Sequence, residues 1–194
     1  MRKLRPVRFW IAALVLLSGM AHAGESAKLA IGADVPDFKI ADLDGAERSW
    51  RELQGEAKRP LVLVFWCTYC GSCRQFEADI AKLAKTYQAQ AAIYALDANA
   101  DDSAADVKRF LEHRKDLSLP VLLDPGAKVA DLFRIATTTT AIVIDGDGKL
   151  RYRGRLHAGA QKAYTENALK ALLNKQIVDP SETPEGGCSI VRKR

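Results

Sequence analysis

The sequence predicts an α/β fold, a central mixed β-sheet flanked by helices on both faces with a short N-terminal β extension. Three observations carry that expectation. Continuous apolar runs rich in β-branched residues recur along the chain and read as strands buried on both faces. Between them lie segments whose apolar residues repeat at helical spacing. Late in the chain, "AIVIDGDGKLRYRG" reads as a hairpin, two strands around an Asp-Gly turn.

The elements follow in order. Residues 1–23 read as a secretory signal peptide ending at Ala23: four basic residues (Arg2, Lys3, Arg5, Arg8), an apolar run from Phe9 to Leu17, then Ala-His-Ala. The run is too short to span roughly 30 Å of hydrocarbon, which needs about 20 residues. No cysteine lies near the cleavage point, so a lipoprotein anchor is not expected. Removing this segment takes four positive charges from the formal +5 and leaves +1. The basic balance is therefore mostly targeting sequence, with no nucleic-acid footprint and no stable membrane insertion after cleavage.

The remaining 171 residues suit one domain with a substantial core. Residues 24–34 read as a flexible lead-in and 35–176 as the folded domain. "VPDFKIADLDGAERSW" supplies two short extended segments around an Asp-Gly turn at 44–45. "LVLVFW" (61–66) is the first buried strand, and from Gly71 the period turns helical, with Phe76, Ile80, Leu83 and Tyr87 on one side. "AAIYAL" (91–96) is a second buried strand. Ser103–His113 then reads as a helix with Val107, Phe110 and Leu111 inward. "LPVLLDP" ends a short strand, Gly126–Phe133 fits a short helix, and Tyr164–Leu173 forms the last one after the hairpin. Residues 177–194 turn Pro-, Glu- and Gly-rich and read as a loose tail carrying Cys188.

Three of the four cysteines, Cys67, Cys70 and Cys73, crowd the junction between the first buried strand and its helix, so two CxxC motifs overlap. Four cysteines are too few for a disulfide scaffold in a chain this long, and their clustering marks a chemical site. Export implies an oxidising compartment in which disulfides persist. If the helix opens near Gly71, Cys70 sits at its N-terminus, where free N–H groups and the dipole favour a thiolate. Cys73 lies one turn on, the more buried, resolving sulfur. Cys67–Cys70 is the rival pair, but it is split between extended chain and helix start and is less well arranged for reversible exchange. A Cys-rich zinc or Cu(I) site using these thiols with Cys188 or His157 is the competing chemistry, although the second ligand pair of a usual zinc pattern is missing. Arg74 follows Cys73 where a c-type haem site requires His.

These residues resemble the thioredoxin-like redoxins, specifically exported thiol–disulfide proteins of the TlpA/ResA type and the related AhpC/TSA domain. The resemblance runs from "IGADVPDFKIADLDGAERSW" through Phe65-Trp66-Cys67-Thr68-Tyr69-Cys70-Gly71-Ser72-Cys73-Arg74 to "IVIDGDGKLRYRG". It implies a thioredoxin fold and a redox pair at Cys70 and Cys73, with Trp66, Tyr69, Gly71 and Ser72 supporting it. Trp66 and Tyr69 flank the pair as an apolar docking surface, Trp66 being the better candidate for the core. Cys67 stands at the family's usual Ala position.

The departures are informative. Where the family carries a cis-proline facing the CxxC, this chain has Thr139 within "ATTTT". A cis bond at a non-proline residue costs about 2.5–4 kcal/mol, so a trans or strained bond is expected. Hydroxyl and N–H donors from Thr138 and Thr139 are expected beside the sulfurs instead. The buried acid that thioredoxins place six residues before the nucleophile is Val64 here, and Glu77 reads as part of the solvated helix face, which leaves no candidate proton acceptor. A Gly-Cys tail similar to "TPEGGCSI" accompanies an extra cysteine in related redoxins, which implies that Cys67 and Cys188 belong to one device. That device is either a disulfide fastening the tail or a relay from the CxxC.

The expected function is thus a periplasmic thiol–disulfide oxidoreductase acting on protein thiols and disulfides, served by an upstream redox donor. It needs no cofactor besides the Cys70–Cys73 disulfide and no metal. A copper-handling metallochaperone using Cys67, Cys70 and Cys73 is the alternative, as is a thiol peroxidase of the same fold. The peroxidase lacks support in the motif, because Cys67 stands where that branch places Thr and its Pro is absent.

Overall fold

A computed structural model describes residues 28–115, 117–158 and 162–193. The signal-peptide reading of residues 1–23 lies outside the described residues. Seven strands form one sheet in the order β2-β1-β5-β4-β3-β6-β7. They are β1 (Lys39–Ala41), β2 (Glu47–Ser49), β3 (Leu61–Trp66), β4 (Ala92–Asp97), β5 (Val121–Leu123), β6 (Thr140–Ile144) and β7 (Leu150–Arg155). The helices are α1 (Trp50–Gln54), α2 (Gly71–Tyr87), α3 (Ala104–Glu112), α4 (Lys128–Leu132) and α5 (Tyr164–Leu173). Strands β3, β4 and β5 run parallel, while β6 pairs antiparallel with β3 and β7 antiparallel with β6.

The alternation of side chains along β3 explains its continuous apolar run. Leu61, Leu63 and Phe65 enter one core layer with α1 and α4 residues such as Trp50, Leu53 and Val129. Val62, Val64 and Trp66 enter the other with Ile80 of α2, Val107 of α3 and Leu169 of α5. A strand covered on both faces has no polar side to show. Its register sets Trp66 opposite Asp97, so β3 and β4 end side by side at their carboxyl edge. The site forms at that edge, as expected for an open α/β sheet.

Two regions differ from the sequence reading. The described part of the lead-in is fastened to the hairpin: Gly32 N–H donates to the Leu150 carbonyl at 2.7 Å and Leu150 N–H donates to that of Ala33 at 3.1 Å. The segment read as a loose tail is hydrogen-bonded across the molecule. Arg153 holds Glu182 at 2.9 Å, Glu185 accepts the N–H groups of Ala136 and Thr137 at 2.9 and 3.0 Å, and Arg192 reaches Asp131 at 2.7 Å. The physical reason is that the 136–139 loop lies outside strand pairing and presents backbone groups that need partners. Among the described residues, no helix is long and apolar enough to cross a membrane.

Candidate active site

Strand β3 ends at Trp66, and four residues carry the chain across to α2. Cys70 is the N-cap of that helix, with extended backbone (φ −83°, ψ 117°). Its sulfur accepts the N–H of Cys73 at 3.3 Å, so the thiol does the work a Ser or Asp oxygen does at other helix starts. The preceding loop is clamped from outside: Asp102 accepts both the Thr68 N–H at 2.9 Å and the Thr68 hydroxyl at 2.5 Å.

The sulfurs of Cys67, Cys70 and Cys73 all lie within 4.8 Å of one another, and all three residues are buried. Their electrostatic surroundings differ sharply. Burial disfavours the Cys70 thiolate, but hydrogen bonds from Cys188, Thr138 and Cys73 outweigh it and bring the thiol down to about 6. The Thr138 hydroxyl stands 3.2 Å from the sulfur. Cys73 is pushed the other way, first by its hydrogen bond with the Cys67 sulfur and then by burial, so it stays a thiol. One nucleophile ready as thiolate beside one protonated reserve is the polarity that stepwise disulfide exchange requires.

Cys67, Cys70 and Cys73 thus form one sulfur cluster in which Cys67 is hydrogen-bonded to Cys73, and Cys188 is hydrogen-bonded to Cys70 from the side of the tail. Cys188 is half-buried, and its thiol also reaches the Ser72 hydroxyl at 3.9 Å. Gly71 is the exposed first residue of α2. A Cβ added to it would meet nothing within 4 Å.

Several expectations need correction. Trp66 is core, 1% exposed, and its indole N–H donates to Glu77 at 3.3 Å, whereas Tyr69 is 69% exposed. Only Tyr69 offers a surface. Glu77 is not on a solvated face; it is fully buried, and Arg114 pairs with its other oxygen at 3.0 Å. The spacing of Cys73, Glu77 and Ile80 on one helical stripe already signals this, and the Trp66 and Arg114 partners make the burial tolerable. Thr139 does not aim donors at the sulfurs. Its N–H goes to the Phe65 carbonyl at 2.7 Å and its hydroxyl to that of Gly186. The peptide bond before it is trans, since the cis bond among the described residues is Asp179–Pro180. Thr139 does sit at φ +55°, a left-handed conformation unusual for a β-branched residue.

Sequence reasoning missed Asp97. It ends β4 beside Trp66, is buried, and has one oxygen without a hydrogen-bond partner among the described residues; the other accepts the Asn99 N–H at 2.9 Å. Burial raises its carboxyl to about 9, against the Asn99 hydrogen bond, and the neighbouring Asp102 carboxylate adds to the rise. The available signal was a lone acid closing an apolar strand that runs parallel to the cysteine strand.

A mixed sheet whose central strand delivers a helix-capping thiol and a second cysteine one turn later defines a thioredoxin-fold protein with a clustered cysteine site. The chain belongs to the AhpC/TSA family of thioredoxin-like redoxins, whose family model matches residues 31–153. It is 30% identical over 150 residues to "Thiol-disulfide oxidoreductase ResA" of Bacillus cereus, covering 73% of this chain and 83% of that protein. A hypothetical protein of Sinorhizobium meliloti shares the fold with a TM-score of 0.74 at 22% identity, covering 86% of this chain and 97% of the other. The exposed lipoprotein thioredoxin of Streptococcus pneumoniae does so with a TM-score of 0.56 at 24% identity, covering 72% and 99%.

Proposed function

We propose that this chain is a periplasmic thiol–disulfide oxidoreductase in which Cys70 and Cys73 are the catalytic pair. The observation that carries the reading is the opposed state of two adjacent sulfurs: Cys70 held down to about 6 at a helix start, Cys73 held as a thiol behind it. The Cys70 thiolate attacks a disulfide of a protein substrate, breaking its S–S bond and forming a mixed disulfide. Cys73 then loses its proton and attacks the Cys70 sulfur, releasing the second substrate thiolate and closing Cys70–Cys73. We assign the exchange of this proton to Asp97, the buried acid that ends β4 beside Trp66 with one oxygen unpartnered among the described residues. An upstream redox donor reopens the pair, and no further cofactor is needed. The name of the Bacillus relative supports the activity, and the N-terminal leader pattern supports export. Exposed Tyr69 supports docking of substrate beside the site.

The test is an insulin-reduction assay on single variants. Cys70→Ser abolishes turnover, and Cys73→Ser stops turnover with Cys70 left in a disulfide that no inner thiol resolves; wild-type turnover in Cys70→Ser overturns the reading.

The clustering of three sulfurs within 4.8 Å favours one second reading, capture of a soft cation such as Cu(I) by Cys67, Cys70 and Cys73 in the reduced protein. Anaerobic Cu(I) titration decides it: one equivalent bound tightly supports it, and no stoichiometric binding removes it.

A further inference from the structure

We propose that Cys188 is a third redox-active sulfur, the outermost member of a relay in which it meets the substrate first and Cys70 passes the disulfide inward to Cys73. The inference rests on the thiol–disulfide exchange reading and goes beyond it by moving the point of substrate contact off the CxxC.

Accessibility is the first argument. Cys70 is only 3% exposed, and Cys67 and Cys73 are equally enclosed, while Cys188 is half-buried. A disulfide on another protein must reach the attacking sulfur along the S–S axis, so a covered thiolate is a poor first point of contact.

Placement is the second. The tail is fixed on both sides of Cys188. Before it, the Glu185 carboxylate takes the N–H groups of Ala136 and Thr137 and the Thr137 hydroxyl. After it, Ile190 is buried and its N–H donates to the Ala136 carbonyl at 2.9 Å. At Cys188 itself, the carbonyl accepts the Thr138 N–H at 2.8 Å and the N–H donates to the Thr138 hydroxyl at 3.1 Å. That hydroxyl is the one beside the Cys70 sulfur, so a single side chain registers both cysteines. Gly187 allows the approach: it has φ +136°, and a Cβ there would lie 2.2 Å from the Thr138 carbonyl oxygen.

Chemistry is the third. In the reducing direction, the Cys188 thiolate attacks a substrate disulfide, and the first substrate sulfur leaves as a thiolate. Cys70 thiolate then attacks the Cys188 sulfur, releasing the second substrate thiolate and forming Cys70–Cys188. Cys73, deprotonated, attacks Cys70, so Cys70–Cys188 breaks, Cys70–Cys73 forms and Cys188 returns as a thiolate. Each step breaks one S–S bond and makes one. Two electrons pass from the Cys70 thiolate and the Cys73 thiol to the substrate; Cys73 gives up one proton and water supplies the other, with no other redox reactant. Run backwards, Cys70 is the leaving group from Cys70–Cys188, a role its low thiol pKa favours.

Removing the inner sulfur stops the relay at its middle step. The Cys73→Ser protein, oxidised with glutathione disulfide, acid-quenched and peptide-mapped without reduction, is expected to yield a peptide pair joined through Cys70–Cys188. Glutathione held on Cys70 with Cys188 left as a free thiol, or a Cys67–Cys70 bond, overturns the proposal. The second arm is turnover of insulin by Cys188→Ser, expected to fall about tenfold or more because access limits exchange. Turnover at the wild-type rate overturns the relay but leaves the Cys70–Cys73 reading standing. That reading fails separately if Cys70→Ser is active.

Discussion

The Thr138 hydroxyl stands 3.2 Å from the Cys70 sulfur, in the loop where this chain carries threonines. A hydrogen bond to a charged group contributes about 1.5–3 kcal/mol, which at 1.36 kcal/mol per unit is one to two units of thiol pKa. Thr138→Val keeps the shape and removes the donor. The expected result is a Cys70 pKa higher by about one unit, read from the pH dependence of iodoacetamide alkylation in the reduced protein. An unchanged profile sinks the assignment.

Cys70 also makes reduced-protein stability pH-dependent. Its thiol falls from the ordinary 9.0 to about 6 on folding. Between those values the unfolded chain holds the proton and the folded chain does not, so the contribution rises with pH across this window. It is fully present above 9 and lost as pH falls through 6. Urea unfolding of reduced wild type against Cys70→Ser at pH 5, 7 and 9 is expected to show a difference that grows with pH. A constant difference contradicts the depressed pKa.

Asp97 has the opposite sign. Its carboxyl rises from 3.8 to about 9, so its stabilising contribution is complete below pH 3.8 and lost as pH rises through 9. Asp97→Asn keeps the shape without the buried acid. This variant is expected to be more stable than wild type at pH 8, by on the order of 1–3 kcal/mol, and slower in exchange. Its exchange rate should also lose the alkaline inflection. An unaltered pH–rate profile removes Asp97 from the proton path.

Trp66 and Tyr69 are three residues apart and should behave as different kinds of residue. Trp66→Ala empties a fully packed position and leaves the Glu77 oxygen without its indole partner, a cost of about 3–5 kcal/mol in thermal or urea unfolding. Tyr69→Ala is expected to change stability by less than about 0.5 kcal/mol. It should raise KM for insulin while leaving exchange with dithiothreitol unaffected. Equal loss with both substrates argues against a docking role.

Gly187→Ala probes the tail. The added methyl meets the Thr138 carbonyl oxygen at 2.2 Å in a conformation that L residues rarely adopt, so the strap must shift. Cys70 should then alkylate faster, as its cover moves, and its pKa should rise as the Cys188 contact is lost. Unchanged alkylation means that the strap does not shield the sulfur.

Much of the fold was legible because its signals are local. β3 and β4 announced themselves as apolar runs, since a strand covered on both faces tolerates little else. α2 opens at Gly71 and α5 spans Tyr164–Leu173 as read. The site was legible where chemistry and spacing coincide, at the helix start that carries Cys70 and Cys73. It was not legible at Glu77, whose burial depends on Arg114 and Trp66 from other elements, or at Asp97, whose neighbourhood depends on strand register.

The sequence by itself therefore determined the sheet-and-helix plan and the crowding of three sulfurs at one strand-to-helix junction, because periodicity and i, i+3 spacing are short-range properties of the chain. It left open what Cys67 and Cys188 touch. Only the tertiary structure decided that, setting Cys67 against Cys73 and folding the Pro- and Gly-rich tail back so that Cys188 rests on Cys70 and Thr138. The long-range contacts of Cys188 with Cys70 and Thr138 are set by which backbone groups the sheet leaves unpaired, and no local pattern encodes them.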